Sequence, residues 1–249
     1  EKPFGSSIAG DSKSVGGLSR EKILGVYHSA YSSNNLIFSV VGNTSWDKVI
    51  SEAKKFPKTN QKIKENPIVF RNGILNEKRK GIDQAHLAFG FHAPKLIDRD
   101  RYSMEVFDCI LGGGMSSRLF QEIREKKGLC YSIKSLLDQS TDYSYEVIYA
   151  GTVKEKVNRV KNLILREIKK IKDLRISDLN EVKERLIGLR ETSKEKCDST
   201  MIELLHEEIG GNAEEYYNYK DRINQVKLKN VRDLAKLKGY SFVSLIPEK

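Results

Sequence analysis

LGGGMSSRLFQEIREKKGLCYSI, residues Leu111–Ile133, joins a broken helix to a strand, and the architecture follows from how it is punctuated. Gly112-Gly113-Gly114 interrupts a helical pattern at an entropic cost, so the backbone there bends or comes close to something. Ser116 or Ser117 can cap the helix that resumes, which then buries Leu119, Phe120 and Ile123. Arg124, Lys126 and Lys127 crowd its last turn, where cations favour the carbonyl end, and Gly128 supplies the stop. Tyr131 opens the next strand. Arg124 and Tyr131 can converge across this helix-to-strand turn, a bidentate donor beside a phenol. On spacing alone, an ordinary C-terminal arginine and an ordinary strand tyrosine are the favoured reading, since helix C-termini favour arginine anyway.

The flanks give the sheet. Ile68–Leu75 and Ala85–His92 are strand-like, the second closed by Ala93-Pro94, and a helical region from Arg99 to Lys127 contains the glycines. Downstream, Leu129–Leu137 and Tyr143–Ala150 read as β-branched and aromatic strands around the turn Asp138–Asp142. Helices follow Gly151, with stops near Leu174–Ser177, Ser193, Gly210-Gly211-Asn212 and Gly239, before a closing strand, Tyr240–Ile246. That order predicts an α+β fold, a mixed or antiparallel sheet with helices packed on one face.

The N-terminal part has its own pattern. Ser19 caps a helix carrying Ile23, Leu24, Val26 and Tyr27; Leu36–Val41 reads as a buried strand ending at Gly42-Asn43; Thr44 or Ser45 caps a second helix with Val49, Ile50 and Ala53. Phe56-Pro57 ends it, and the polar run Lys58–Asn66 reads as a linker. This places an incomplete helix-strand-helix domain at residues 1–62 and the fuller unit at residues 63–249.

Composition narrows the function. With 249 residues, 39% hydrophobic and 31% charged, the chain can bury a proper core, and no apolar run approaches the roughly 20 residues that span a bilayer. A net charge of +10 raises an acidic partner such as nucleic acid. The basic residues, however, alternate with acids in Lys154–Lys172 and Asn180–Lys196, which reads as solvated helix faces with i,i+4 pairs. Cys109, Cys130 and Cys197 lack CxxC spacing and point to reduced thiols in a cytoplasmic setting, with Cys109 a small core residue. The chain opens Glu1-Lys2-Pro3-Phe4 without an initiator methionine, as a processed fragment does. His28, His86, His92 and His206 form neither HExxH nor HxxEH, so no metal ligand is assigned. No GxSxG elbow or Walker loop is present.

The Leu111–Ile133 block closely resembles the hallmark of the second half of pitrilysin-family zinc peptidases, which include insulysin and the mitochondrial processing peptidase. The similarity extends to AHLAFGFHAP, to Asp98-Arg99-Asp100 before the long helix and to the layout of Val226–Gly239. Upstream, KPFGSSIAGD, Tyr31 and NLIFSVVGN resemble the closing portion of that family's first half, the half that binds zinc. The family's HxxEH motif and its distant glutamate are absent here. The resemblance therefore implies one half of a clamshell metallopeptidase, preceded by part of the zinc-half domain. No cofactor is expected in this chain; zinc is expected in the missing or partner half. The residues matching the family's substrate contacts are Arg124 and Tyr131, which would reach in trans to the peptide and its developing oxyanion, and Gly112, Gly113 and Gly114 would form a substrate-side loop.

The leading expectation is a fragment or subunit of a zinc metalloendopeptidase that encloses the peptide substrate and is not catalytic alone. Its partner is a zinc-bearing half or subunit, with a homo-oligomer through the incomplete first domain as another arrangement. The alternatives are a catalytically inactive structural or regulatory relative of the processing peptidases and, less favoured, a basic nucleic-acid-binding module.

Overall fold

The computed structural model describes residues 7–56, 58–59, 68 and 70–248. The chain divides into two compact units, Glu1–Pro67 and Ile68–Lys249. The boundary expected at 62/63, and most of the polar run expected as a linker, lie outside the described residues.

Among its described residues the first unit holds the α-helices α1 (Ser12–Gly16), α2 (Arg20–Ala30) and α3 (Trp46–Ala53). Ser19 caps α2 by accepting from the Lys22 amide, and Ser45 caps α3 by accepting from that of Lys48. Leu36–Val41, expected as a buried strand, pairs with no strand among the described residues, and Leu36, Ile37, Phe38 and Val40 are exposed. The apolar run has strand chemistry, but the described residues supply no partner strand for it to pair with. No apolar residue of this unit is buried among those described.

The second unit is one mixed sheet with helices. Its strands are β1 (Ile74–Arg79), β2 (Ala85–His92), β3 (Ser132–Gln139), β4 (Ser144–Thr152) and β5 (Ser241–Pro247), in the order β1-β5-β2-β4-β3. Only β1 and β5 run parallel. The two-residue period of β2 sends Ala85, Leu87, Phe89 and Phe91 inward, and β4 does the same with Ile148 and Ala150. This face packs against α4 (Arg101–Leu111) and α5 (Val157–Lys170), which contribute Met104, Phe107, Leu111, Val160, Ile164 and Ile168 to the core. The remaining helices are α6 (Ile176–Ser193), α7 (Cys197–Ile209), α8 (Glu215–Gln225) and α9 (Leu228–Leu234).

Two expectations shift. The strand expected at Ile68–Leu75 starts only at Ile74 and runs through Asn76-Glu77-Lys78-Arg79. It is a fully exposed edge strand, and its charges suit an edge that must not recruit further strands. Neither Ser116 nor Ser117 caps the helix after the glycines through its side chain: the Ser117 hydroxyl is buried without a partner, while that of Ser116 accepts from Arg185. That helix widens into a π segment, Phe120–Glu125.

Candidate functional site

The π segment, the turn at residues 126–130 and the start of β3 hold Arg124 and Tyr131 on either side of one corner. Gly128 makes the corner with φ of 56°, its amide donating to Arg124 O at 3.0 Å and that of Leu129 to Ile123 O at 3.1 Å. Leu129 and Cys130 then enter the core, and Tyr131 is tied to β4 through its amide, which donates to Gly151 O at 2.9 Å. Tyr131 is 68% exposed. The Arg124 guanidinium lies 4.6 Å over the Phe120 ring, and its nearest acid is the neighbouring Glu125, at 3.8 Å. No hydrogen bond or ring contact joins Arg124 to Tyr131 among the described residues. Both are donors at the surface with no buried partner, free to meet a group that comes from outside.

Packing demands glycine at 112 and 113, and backbone conformation favours it at 114. A Cβ on Gly112 would overlap the Ser135 side chain and come within 2.7 Å of its amide nitrogen; one on Gly113 would lie 2.6 Å from Cys109 Cα. Gly114 has φ of 100°, and a Cβ there would sit 2.5 Å from Arg185 Nη2. The amides of Gly112 and Gly113 donate to Asp108 O at 2.8 and 3.1 Å, and that of Gly114 to Gly112 O at 2.8 Å. These three amides are thus spent within the turn and offer no nest for an anion. From α6, Arg185 donates to Gly113 O and, at 2.9 Å, to Ser116 Oγ.

Beneath this turn lie two acids, Asp108 half-buried and Glu146 fully buried. The Ser135 hydroxyl donates to Asp108 Oδ1, and Glu146 on β4 lies close to both, with no hydrogen bond of good geometry to either of its oxygens among the described residues. Burial, reinforced by the charge of Asp108, pushes the Glu146 carboxyl up to about 10, so it is neutral at physiological pH. Further along α4, Arg101 binds Glu207 at 2.6 Å and Tyr219 donates to Glu105 at 2.9 Å. Arg190 lies 3.2 Å from Glu203 and 3.9 Å from Glu207. Burial pushes Glu105 up to about 7. Arg101, Tyr102, Glu207, Glu215, Arg222 and Asn230 line a polar cavity of about 720 Å³, in which Glu207 and Glu215 are each already bound to an arginine.

Sequence reasoning missed this second set. Arg185 and Arg190 sit in a stretch of mixed charge that reads as a solvated face, yet they bridge to other elements rather than pairing i,i+4. Glu146 was findable: the period of β4 puts it on the side of Ile148 and Ala150.

The histidines do not assemble. The ring of His86 shares a hydrogen bond of 2.8 Å with Tyr149, and that of His92 packs edge-on to Phe70 at 4.5 Å. Among the described residues, no group of three or more His, Cys, Asp or Glu could hold a metal ion, and no helix is long and apolar enough to cross a membrane. Cys109 is buried, and burial pushes the Cys130 thiol up to about 11, away from nucleophilic use.

Known proteins share this layout. A solved peptidase M16 inactive domain from Pseudomonas fluorescens superposes with a TM-score of 0.82 over 99% of this chain and 62% of its own, at 20% identity. A protease from Helicobacter pylori gives 0.82 over 96% and 62%, also at 20%. At these identities the likeness is one of fold. In sequence, an uncharacterized zinc protease of Rickettsia felis is 34% identical over 177 residues, 69% of this chain and 42% of that protein. One from Bacillus subtilis is 28% identical over 240 residues, 94% of this chain and 58% of its own. The chain thus spans about half the length of the relatives it matches. Residues 17–186, containing the glycine turn, Arg124, Tyr131 and Arg185, match the family described as Peptidase M16 inactive domain, and the chain belongs to that family.

Proposed function

We propose that this chain is the half of a zinc metalloendopeptidase that closes over the peptide, with Arg124 and Tyr131 as donors to it and to the oxyanion formed on attack. The observation that carries this reading is the corner itself. A guanidinium and a phenol stand at the surface on either side of one hydrogen-bonded turn, and neither is consumed by a buried partner among the described residues. Preorganised donors of this kind act on charge that develops in the transition state. The Gly112–Gly114 turn would lie along the peptide, held in shape rather than closing as a lid.

Zinc does not fit the residues described here, since the histidines are dispersed and no cluster of ligands forms. The hydrolytic step therefore belongs to a zinc-bearing half, and the zinc-protease relatives, longer than this chain, support such a partner. The unburied apolar run of the first unit supports the same arrangement, as a segment that completes its packing against further chain.

The test is reconstitution with the zinc-bearing half and a peptide substrate. Arg124→Ala should lower kcat by roughly 10–1000-fold, the range for losing an oxyanion donor. Tyr131→Phe, which removes only the hydroxyl, should act in the same direction. A wild-type rate in Arg124→Ala returns the corner to a structural role. The chain alone should show no chelator-sensitive hydrolysis; robust cleavage by it would refute the division of labour.

A further inference from the structure

Arg185 makes no ion pair with any carboxylate among the described residues, although α6 is rich in acids. Its fork is spent on the glycine turn instead. It binds Gly113 O and Ser116 Oγ together, and Gly114 leaves the space its Nη2 occupies. Two acceptors set at an angle suit a planar guanidinium and not the point charge of a lysine. The turn is in turn tied to the helix that follows: Gln121 Nε2 donates to Met115 O at 2.7 Å, and the Gln121 amide to Ser117 O at 3.0 Å. Arg124 lies three residues beyond Gln121 in the same π segment. A continuous path of contacts thus runs from α6 through the turn to the base of the Arg124 helix.

We propose that Arg185 is a positioning residue for peptide hydrolysis: by clamping Gly113 O and Ser116 Oγ it fixes the origin of the helix that aims Arg124. This rests on the reading above that Arg124 meets the substrate. Arg185 touches neither peptide nor reacting atoms. It restricts where the Arg124 guanidinium can stand, and a misplacement of about 1 Å at a catalytic donor can cost on the order of 100-fold in rate.

The experiment is a double-mutant cycle in the enzyme reassembled with its zinc-bearing half. Arg185→Ala should lower kcat on the order of 10-fold with KM little changed, and Arg185→Lys should recover only part of it, because one ammonium replaces a fork. The decisive arm is Arg185→Ala in the Arg124→Ala background, which should add no further loss. A residue that merely supports the fold would lower both backgrounds equally, and that result overturns the proposal. A normal rate for Arg185→Ala while Arg124→Ala is impaired also overturns it and leaves the role of Arg124 standing. If Arg124→Ala itself is silent, the underlying reading fails instead.

Hydrogen exchange on the 249-residue chain tests the clamp without activity. Amides 112–114 should exchange on the order of 10-fold faster in Arg185→Ala, and unchanged exchange rejects the clamp. Should Arg185→Ala not fold, Ser116→Ala removes one of the two acceptors and should produce a smaller shift of the same kind; its absence counts against the clamp.

Discussion

At the scale of single residues, Glu146 shows how a buried group gives stability a slope in pH. Its carboxyl, fully buried next to Asp108, is pushed up to about 10 from an ordinary carboxylate value near 4.5. A raised acid favours the folded state below the unfolded value and loses that contribution as pH climbs toward the folded one. Unfolding free energy should therefore fall between about pH 5 and pH 10, by as much as about 1.4 kcal/mol per pH unit from this group. Glu146→Gln keeps a neutral side chain of the same shape, so urea titrations should give a flatter profile, with the variant gaining on wild type at pH 9; parallel profiles would contradict the assignment. Gly112 makes a complementary case. Alanine there forces Cβ into Ser135, and overpacking of this kind costs about 1–3 kcal/mol. The sequence showed that these glycines bend the chain closely against something. It did not show that the something was Ser135, Cys109 and Arg185, because those contacts depend on how β3, α4 and α6 meet.

At the scale of elements, the strong two-residue periods were legible. β2 falls at Ala85–His92, where the alternation placed it, and α5, α6 and α7 end near the stops read from Leu174–Ser177, Ser193 and Gly210, while the break between α8 and α9 carries no such signal. What failed were elements without a burial pattern of their own, the exposed edge β1 and the run Leu36–Val41, which joins no strand among the described residues. Helix α7 is a third kind. None of its residues joins the hydrophobic core, and what fixes it is polar: Glu207 on Arg101, Glu203 and Glu207 near Arg190, and the Tyr216 hydroxyl near Thr200. Helices held this way open before those seated in a core. Hydrogen exchange should find residues 197–209 the least protected of the long helices in the second unit, with Glu207→Gln lowering protection further. Glu105 adds a pH term, since its burial, helped by the charge of Glu207, outweighs the hydrogen bond from Tyr219 and the charges of Arg190 and Arg101. Its folded value of about 7 is raised, so the stability it lends is lost as pH rises through 7. Protection of α7 should be greater at pH 6 than at pH 8; the opposite order would place the junction's control elsewhere.

At the scale of the whole molecule, the two units differ in what they hold for themselves. The core of the second begins at Ala85 and runs to Phe242, drawing on the sheet and on α4, α5, α8 and α9. The first has capped helices and apolar residues such as Trp46, Val26 and Phe38, all exposed. Local signals sufficed to make its helices, but burial needs surfaces that its described residues do not supply. A fragment of residues 68–249 should therefore unfold in one cooperative transition, with a midpoint within a few degrees of the corresponding transition in the full chain. The full chain should bind a hydrophobic dye through its first unit, the fragment should bind much less, and adding the zinc-bearing half should suppress the signal from the full chain. Equal dye binding by fragment and full chain would mean that the apolar residues of the first unit are covered in solution, and the partner would then have to be sought on another surface.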